Sequence, residues 1–237
     1  MNNPLIDSER AKEFIKRNKN LLFEKFASGK IYKPNEKPIS LFMAGSPGAG
    51  KTEYSKRFIE KFDSDMARID ADDIRGIIPQ YNGANSYVVQ GAASIAVDIL
   101  YSYVLKNKYN LLLDGTFAKF DIVYRNIGRS INKNREVIIC YVYQDPVVAW
   151  EFTKKREKVE GRMVPKKAFI EAFINARKNV IKIKSIFKDK VKVYLIIKNY
   201  NNNIKESYFD VHIDSYLKIR YSEEKLNKIL KDSKYEK

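Results

Sequence analysis

The chain has 237 residues, and its 45 Lys and Arg against 29 Asp and Glu give a formal net charge of +16. Its hydrophobic content of 44% is enough for a packed core and excludes global disorder. The single cysteine, Cys140, excludes an intramolecular disulfide and a zinc site built on cysteines.

The basic charge fits three kinds of partner: nucleic acid, an anionic membrane surface or phosphorylated small substrates. The Lys and Arg residues are spread along the whole chain and form no dense arm. This distribution favours a generally Lys-rich composition over a dedicated nucleic-acid-binding surface. No window holds eighteen uncharged apolar residues, and the first residues lack the basic-then-apolar layout of a signal peptide. We therefore expect no membrane span and a cytoplasmic location.

In chain order, the first predicted elements are helical. Between residues 8 and 28 the apolar residues recur at helical spacing, and Gly29 follows as a stop signal. Two prolines in residues 33–38 then mark a loop before the first apolar strand. This pattern predicts an N-terminal helical extension over residues 1–37 and one larger domain over residues 38–237.

In the larger domain, short apolar runs alternate with helix-like stretches. The predicted strands are 39–44, 67–69, 110–113, 137–143 and 191–197. The predicted helices are 52–62, 88–106, 121–132, 147–159, 166–187 and a short one at 223–231. Apolar strands between helices are typical of an α/β three-layer sandwich, with helices on both faces of a mostly parallel sheet.

The first strand leads into the sequence GSPGAGKT and then a helix, which is the order of a P-loop. Glycines allow the backbone N–H groups of such a loop to point at phosphate oxygens, and the next helix presents its positive end to the same anion. The predicted nucleotide-binding residues are Gly45, Ser46, Gly48, Ala49, Gly50, Lys51 and Thr52, with Lys51 at the β- and γ-phosphates and the Thr52 hydroxyl on Mg²⁺.

The second strand ends in an acidic cluster that contains Asp70, Asp72 and Asp73. Ligands of a parallel α/β sheet sit outside the carboxyl ends of its strands, so these side chains should face the P-loop. Either Asp72 or Asp70 could accept the proton of an attacking hydroxyl. The alternative is that Asp72 or Asp73 caps a helix N-terminus.

Two further segments have charges suited to phosphoryl transfer. The third strand ends in Asp114-Gly115-Thr116, where an acid can hold Mg²⁺ or a substrate hydroxyl. Asp98, on the preceding helix, faces either solvent or this site. Arg156 and Arg162 flank a break at Gly161 and either clamp the moving phosphoryl group or belong to a solvated basic helix.

The order of these clusters resembles the zeta-toxin family of P-loop kinases. The resemblance covers roughly residues 38–183 and rests on GSPGAGKT, IDADDIR, the helix with Asp98, LLLDGT and the arginine pair in TKKREKVEGRMVPK. This chain departs from the family in having aspartates for both substrate-side glutamates, Ala118 where the toxins have a basic residue, and only five residues between its two arginines.

The resemblance implies a role for each matching residue. Lys51 and Thr52 would bind the phosphates of ATP and Mg²⁺, and Asp72 would be the catalytic base. The implied substrate contacts are Asp98, Asp114 and Thr116, and the implied phosphate-stabilising residues are Arg156 and Arg162. Toxins of the family phosphorylate the 3′-hydroxyl of UDP-N-acetylglucosamine, and a small helical antitoxin blocks their nucleotide site.

The sequence therefore predicts an ATP-dependent kinase for a nucleotide-like small molecule, with UDP-N-acetylglucosamine as the leading acceptor and an antitoxin as the implied protein partner. Two alternatives stay open. The first is a polynucleotide kinase that acts on RNA or DNA ends, which the net charge of +16 encourages. The second is a nucleotide-gated regulatory or defence module with little turnover.

Overall fold

A computed structural model describes residues 4–61, 65–161 and 163–230. Its centre is a six-stranded sheet in the order β2-β3-β1-β4-β5-β6, in which only the last pair is antiparallel. The strands are β1 Ile39–Ala44, β2 Met66–Asp70, β3 Asn110–Asp114, β4 Glu136–Tyr143, β5 Lys192–Lys198 and β6 Ile204–Phe209. The predicted mostly parallel α/β sheet is confirmed.

Helices cover both faces of this sheet. They are α1 Pro4–Arg17, α2 Lys19–Phe26, α3 Lys51–Lys61, α4 Ala71–Arg75, α5 Ser86–Lys106, α6 Phe120–Ile131, α7 Pro146–Glu160, α8 Lys166–Phe187 and α9 Glu223–Ile229. Successive residues of a strand point to opposite faces. In β1, Leu41 and Met43 therefore join the core beneath α3, and Phe42 and Ala44 join the larger core beneath α5 and α8. These are the three layers that the alternating pattern predicts.

The two N-terminal helices share the larger core. Ala11, Ile15 and Leu22 have no exposed surface, and the Phe23 ring stacks on Tyr103 of α5 with 3.9 Å between ring centroids. The segment before β1 is thus packed against the sheet domain through α5. The division of the chain at residue 37 stays a prediction.

Among the helices described, α5 is long and apolar enough, by length and composition, to cross a membrane. Half of its most apolar stretch is buried inside the fold. The side chains of Val89, Ala93 and Leu100 are fully buried in the larger core, as expected of a central helix in an α/β domain.

Two elements were not predicted, β6 and α4. Most side chains of β6 are exposed, so the strand has no apolar run. Its backbone is specified by pairing with β5, which a pattern of side chains does not reveal. Helix α4 has five residues and follows β2 without a loop, so it is too short for a periodic signal.

Arg135 connects the starts of three strands beneath the sheet. Its guanidinium is buried and donates to the Ser40 hydroxyl at 2.6 Å and to the carbonyl oxygens of Ile39 and Tyr109 at 2.7 and 2.6 Å. Burial lowers the pKa of Arg135 to about 10. Within the described residues, the hydrogen-bond acceptors found for this guanidinium are a hydroxyl and two carbonyl oxygens, and none is a carboxylate. These hydrogen bonds therefore compensate the buried positive charge.

We expect Arg135→Met to reduce the free energy of unfolding by about 3 kcal/mol, because the substitution leaves buried carbonyl groups without a donor. Urea unfolding followed by circular dichroism measures this loss. The control is Lys133→Met in the exposed turn two residues earlier, which should change stability by less than about 0.5 kcal/mol. Equal stability of the two variants would contradict the role of Arg135.

Candidate active site

The P-loop lies between the end of β1 and the start of α3. Its Gly45, Gly48 and Gly50 have φ angles of 140°, 71° and 80°, which side chains of L-residues rarely allow. A Cβ atom on Gly48 would also collide with the carbonyl oxygen of Ala149 in α7. The loop therefore requires glycine at these positions, and it leads into the N-terminus of α3, a kind of backbone that can bind an anion.

Lys51 folds back over this loop. Its Nζ atom donates to the carbonyl oxygen of Ser46 at 2.6 Å, and the side chain is almost fully buried. Burial lowers the pKa of Lys51 to about 8; the charge of Asp114 opposes this shift and that of Arg156 adds to it. The ammonium group thus lies among charged groups from β2, β3, α4 and α7 and would be a natural counter-ion for phosphate.

Two aspartates meet at the carboxyl ends of β2 and β3. Asp70 and Asp114 are direct partners in the strand register, and Arg68 bonds to both carboxylates. Burial, together with the neighbouring charge of Asp114, raises the pKa of Asp70 to about 6. The β2–β3 pairing therefore concentrates negative charge beside the P-loop, and Arg68 compensates part of it.

Ser55 links this acidic pair to the P-loop helix. Its hydroxyl group lies 3.0 Å from the Asp114 Oδ2 atom and 3.0 Å from the carbonyl oxygen of Thr52. Mg²⁺ in nucleotide sites is usually held by one or two carboxylates together with phosphate oxygens and water. No cluster of three His, Cys, Asp or Glu able to hold a metal occurs within residues 4–61, 65–161 and 163–230. The residues that could hold a Mg²⁺ ion here are Thr52 and Asp114, which Ser55 connects.

Asp72 lies in the first turn of α4. The cap of this helix is Asp70, whose Oδ1 atom accepts from the Asp72 backbone N–H at 2.8 Å. The capping role considered for Asp72 or Asp73 thus belongs to Asp70. The Asp72 side chain is 37% exposed and bonds to the buried Arg75, which also donates to Gln90 of α5. Asp72 is close enough to Lys51 for its charge to raise the pKa of the lysine.

Of the two other predicted substrate contacts, Thr116 lies beside the P-loop and Asp98 does not. The carbonyl oxygen of Thr116 accepts from Gly45 N–H at 3.2 Å, so Thr116 adjoins the P-loop. Asp98 is on the exposed face of α5, two turns after Gln90, and half of its side chain is exposed. It accepts hydrogen bonds from Arg129 at 2.8 Å and Arg125 at 3.4 Å. These contacts join α5 to α6, and they do not bring Asp98 into the group around Lys51.

Helix α7 brings Arg156 to the P-loop. One turn before Arg156, Thr153 lies against Gly48, and the charge of Arg156 acts on the Lys51 pKa. The helix ends at Gly161, which has a φ of 71°. Arg162 lies outside the described residues.

Three further residues contribute to the site that the motifs did not reveal: Arg68, Arg75 and Ser55. For Arg68 the sequence did offer a signal. It is a charged residue inside a predicted buried strand, β2, where it needs a carboxylate partner. Ser55 and Arg75 have no such signal, since their partners are set by contacts between elements.

Comparisons with known proteins show the family of this chain. The sequence model of the Zeta toxin family matches residues 24–210. The chain is 26% identical over 125 residues to "Toxin PezT" of Streptococcus pneumoniae serotype 4 (strain ATCC BAA-334 / TIGR4). That match spans 50% of this chain and 49% of the relative, so the chain matches about half the length of that toxin.

Solved structures share the fold at lower identity. The PezAT toxin–antitoxin system of Streptococcus pneumoniae matches with a TM-score of 0.61 and 22% identity, over 84% of this chain and 80% of that chain. The AvrRxo1-ORF1:AvrRxo1-ORF2 complex with ATP matches with a TM-score of 0.57 and 14% identity, over 85% and 65%. A chain of the Pnkp1/Rnl/Hen1 RNA repair complex matches with a TM-score of 0.52 and 19% identity, over 65% and 49%. Because the family model covers most of its length, the chain belongs to the zeta toxin family.

Proposed function

We propose that this protein is a kinase that transfers the γ-phosphate of ATP to a hydroxyl group of a nucleotide-like small molecule. The observation that supports this most directly is the surroundings of Lys51. Its buried ammonium group lies at the P-loop among the charges of Asp114, Asp70, Asp72 and Arg156. A site that only bound phosphate would not need acids on the acceptor side. The ATP in the AvrRxo1-ORF1:AvrRxo1-ORF2 structure agrees with a nucleotide site in this fold.

Each side chain then has a chemical role. Lys51 and the loop N–H groups bind the β- and γ-phosphates, and Arg156 compensates charge that spreads over the γ-phosphoryl oxygens in the transition state. Asp72 accepts the proton of the acceptor hydroxyl as that oxygen bonds to the γ-phosphorus and the bond to the β-phosphate oxygen breaks, which releases ADP. Arg75 holds the Asp72 carboxylate in place and is itself held by Gln90. Arg162 is proposed as the second phosphate-stabilising arginine.

Mg²⁺ would be held by Thr52 and Asp114 together with phosphate oxygens. When bound, it would neutralise part of the negative charge of the nucleotide. Ser55 fixes the distance between α3 and β3 through its two hydrogen bonds. These hydrogen bonds connect Asp114 to the turn of α3 that carries Thr52.

The proposed acceptor is UDP-N-acetylglucosamine, at its 3′-hydroxyl, with Asp114 and Thr116 on the acceptor side. Family membership supports this choice, and the fold shared with the PezAT toxin–antitoxin system supports an antitoxin as the protein partner. The proposed location is the cytoplasm, where ATP is available. A polynucleotide kinase is the second candidate, favoured by the net charge of +16 and by the fold shared with the RNA repair complex.

Incubation with γ-labelled ATP and a panel of acceptors tests the proposal. The panel contains UDP-sugars, dinucleotides and 5′-hydroxyl oligonucleotides. We expect label to enter UDP-N-acetylglucosamine, and removal of its 3′-hydroxyl to stop transfer. Label in the oligonucleotide, with binding that weakens steeply as salt rises, would replace this acceptor by nucleic acid. No transfer to any acceptor by a folded, ATP-binding protein would favour the regulatory module.

The pKa of Lys51 gives a pH prediction. Because this pKa is lowered to about 8, the lysine is protonated below that pH and loses its charge as pH rises through it. We expect kcat/KM for ATP, which reports on the free enzyme, to fall above about pH 8. At saturating ATP, kcat should stay flat to higher pH, since bound phosphate favours the ammonium form. A kcat/KM for ATP that is constant to pH 9.5 would contradict the prediction.

A further inference from the structure

Residues 115–119, the β3–α6 loop, contain a residue with an unusual backbone conformation. Phe117 has a φ of 64°, in the left-handed region that residues other than glycine rarely adopt. Such a conformation costs free energy and persists only where the surrounding structure enforces it. Thr116, a predicted substrate contact, is the residue immediately before Phe117. The contacts that enforce the conformation of Phe117 therefore also set the position of Thr116.

Asn179 of α8 bonds directly to the backbone of this loop. Its Nδ2 atom donates to the carbonyl oxygens of Phe117 and Ala118, both at 2.9 Å. Asn179 is 5% exposed, so little water can replace its amide group as the donor. A buried carbonyl oxygen that loses its donor is costly, which makes these two bonds specific for one arrangement of the backbone. One side chain thus fixes two successive peptide groups of the loop.

Two further contacts hold the loop from other directions. The carbonyl oxygen of Thr116 accepts from the Gly45 backbone N–H of the P-loop at 3.2 Å. The buried ring of Phe117 packs edge-on against Phe42 of β1, with 6.4 Å between ring centroids. The loop is therefore attached to the P-loop, to the core and to α8. Of these anchors, Asn179 can be replaced without altering the P-loop or the loop's own residues.

The β3–α6 loop directly follows Asp114 at the carboxyl end of β3, the edge of the sheet where ligands of parallel α/β folds sit. We propose that Asn179 is a positioning residue for the phosphate acceptor, because it holds the loop that carries Thr116. Asn179 touches no reacting atom in this scheme and acts through Thr116. A misplacement of about 1 Å in a group that orients a substrate can lower the rate about 100-fold. This inference rests on the proposed kinase function, since it needs an acceptor beside Thr116.

The substitution that tests this role is Asn179→Ala in the full chain. At saturating ATP, kcat/KM for UDP-N-acetylglucosamine should fall by about 10- to 100-fold. The Kd of ATP, measured by calorimetry, should stay within about threefold of the wild type, because Gly48 of the P-loop packs against α7 independently of Asn179. Asn179→Leu fills a similar space without a donor and should give the same result, which covers the case in which the alanine variant does not fold.

Hydrogen exchange followed by mass spectrometry gives a second measurement, which needs no acceptor. Peptides that cover residues 114–119 should exchange faster in the Asn179 variants than in the wild type, since a released loop opens more often. Peptides from the far end of α8 should exchange as in the wild type.

The matched control is Tyr101→Phe, which also removes a buried hydrogen bond. The Tyr101 hydroxyl donates to the carbonyl oxygen of Asn126 at 2.6 Å and lies 2.7 Å from the Ser130 hydroxyl. Ser130 in turn bonds to Ser40 near the start of β1, at the edge of the sheet opposite the site. We expect this variant to lose stability in urea unfolding and to keep both the wild-type kcat/KM and the wild-type exchange of residues 114–119.

Each contrary result has a distinct meaning. Unchanged exchange of residues 114–119 in the Asn179 variants overturns the inference whatever the acceptor is. Faster exchange with a wild-type kcat/KM also overturns it and leaves the proposed function intact. An equal loss of kcat/KM in Tyr101→Phe overturns it as well, because the loss would then follow from general stability. A wild type that transfers phosphate to no acceptor overturns the proposed function and the inference together.

Discussion

Substitution of Asp72 by asparagine is expected to lower kcat for phosphate transfer by about 10²- to 10⁴-fold, the usual contribution of a general base. Asparagine has nearly the same shape and can still bond to Arg75, but it does not accept a proton at neutral pH. The Asp72 side chain is held by Arg75 and remains 37% exposed, so an acceptor hydroxyl can reach it. The loss should appear in kcat, with KM for ATP nearly unchanged, because Asp72 acts on the acceptor.

Asp73→Asn is the matched control for this substitution. Asp73 is the next residue in α4, and its half-exposed side chain pairs with Arg68 at the edge of the site. Its kcat should fall by less than tenfold. A labelled-ATP assay with both variants decides the base assignment. If Asp72→Asn transfers phosphate at the wild-type rate, the proton is accepted elsewhere, and Asp70 is the next candidate.

Replacement of Lys51 by alanine is expected to reduce kcat by about 10²- to 10³-fold, comparable to the loss of one preorganised charge-stabilising donor. ATP affinity should fall as well, because the ammonium group contacts phosphate in the ground state. Removal of Lys51 also removes a positive charge that compensates part of the negative charge of Asp114 and Asp70, since both of these charges act on this lysine. Single-turnover kinetics and ATP titration measure the two effects separately.

Lys56→Ala is the control, as Lys56 is an exposed lysine on the same helix. It should retain full activity and the same ATP affinity. The Lys51 variant also tests the alternative of a nucleotide-gated module. If Lys51→Ala keeps the biological effect of the protein while transfer is lost, catalysis is not its function.

The P-loop and the two elements that flank it were predicted from the sequence. GSPGAGKT is a local motif: its glycines, Lys51 and Thr52 are within eight consecutive residues, so their spacing along the chain is also their spacing in space. The strand and helix periodicities that flank it are likewise local. The predicted bounds of β1 agree with the structure. Helix α3 begins one residue earlier than predicted, and its predicted end at residue 62 lies outside the described residues.

The charged residues around the P-loop could not be paired from the sequence. Asp70 and Asp114 are 44 positions apart in the chain and become neighbours only through the pairing of β2 with β3. The structure assigned the helix cap to Asp70 because only its side chain reaches the Asp72 N–H group. Asp98 could equally have faced solvent or the site, and packing of α5 against α6 directs it to Arg125 and Arg129.

The sequence by itself thus determined the α/β class, the phosphate cradle and the family, because each depends on residues close together in the chain or on their order. Tertiary structure decided how the charges are paired. Arg68 between two aspartates, Ser55 between Thr52 and Asp114, and Asn179 against the β3–α6 loop all join elements distant in sequence. Such contacts depend on strand order and helix packing, and no periodicity of side chains encodes them.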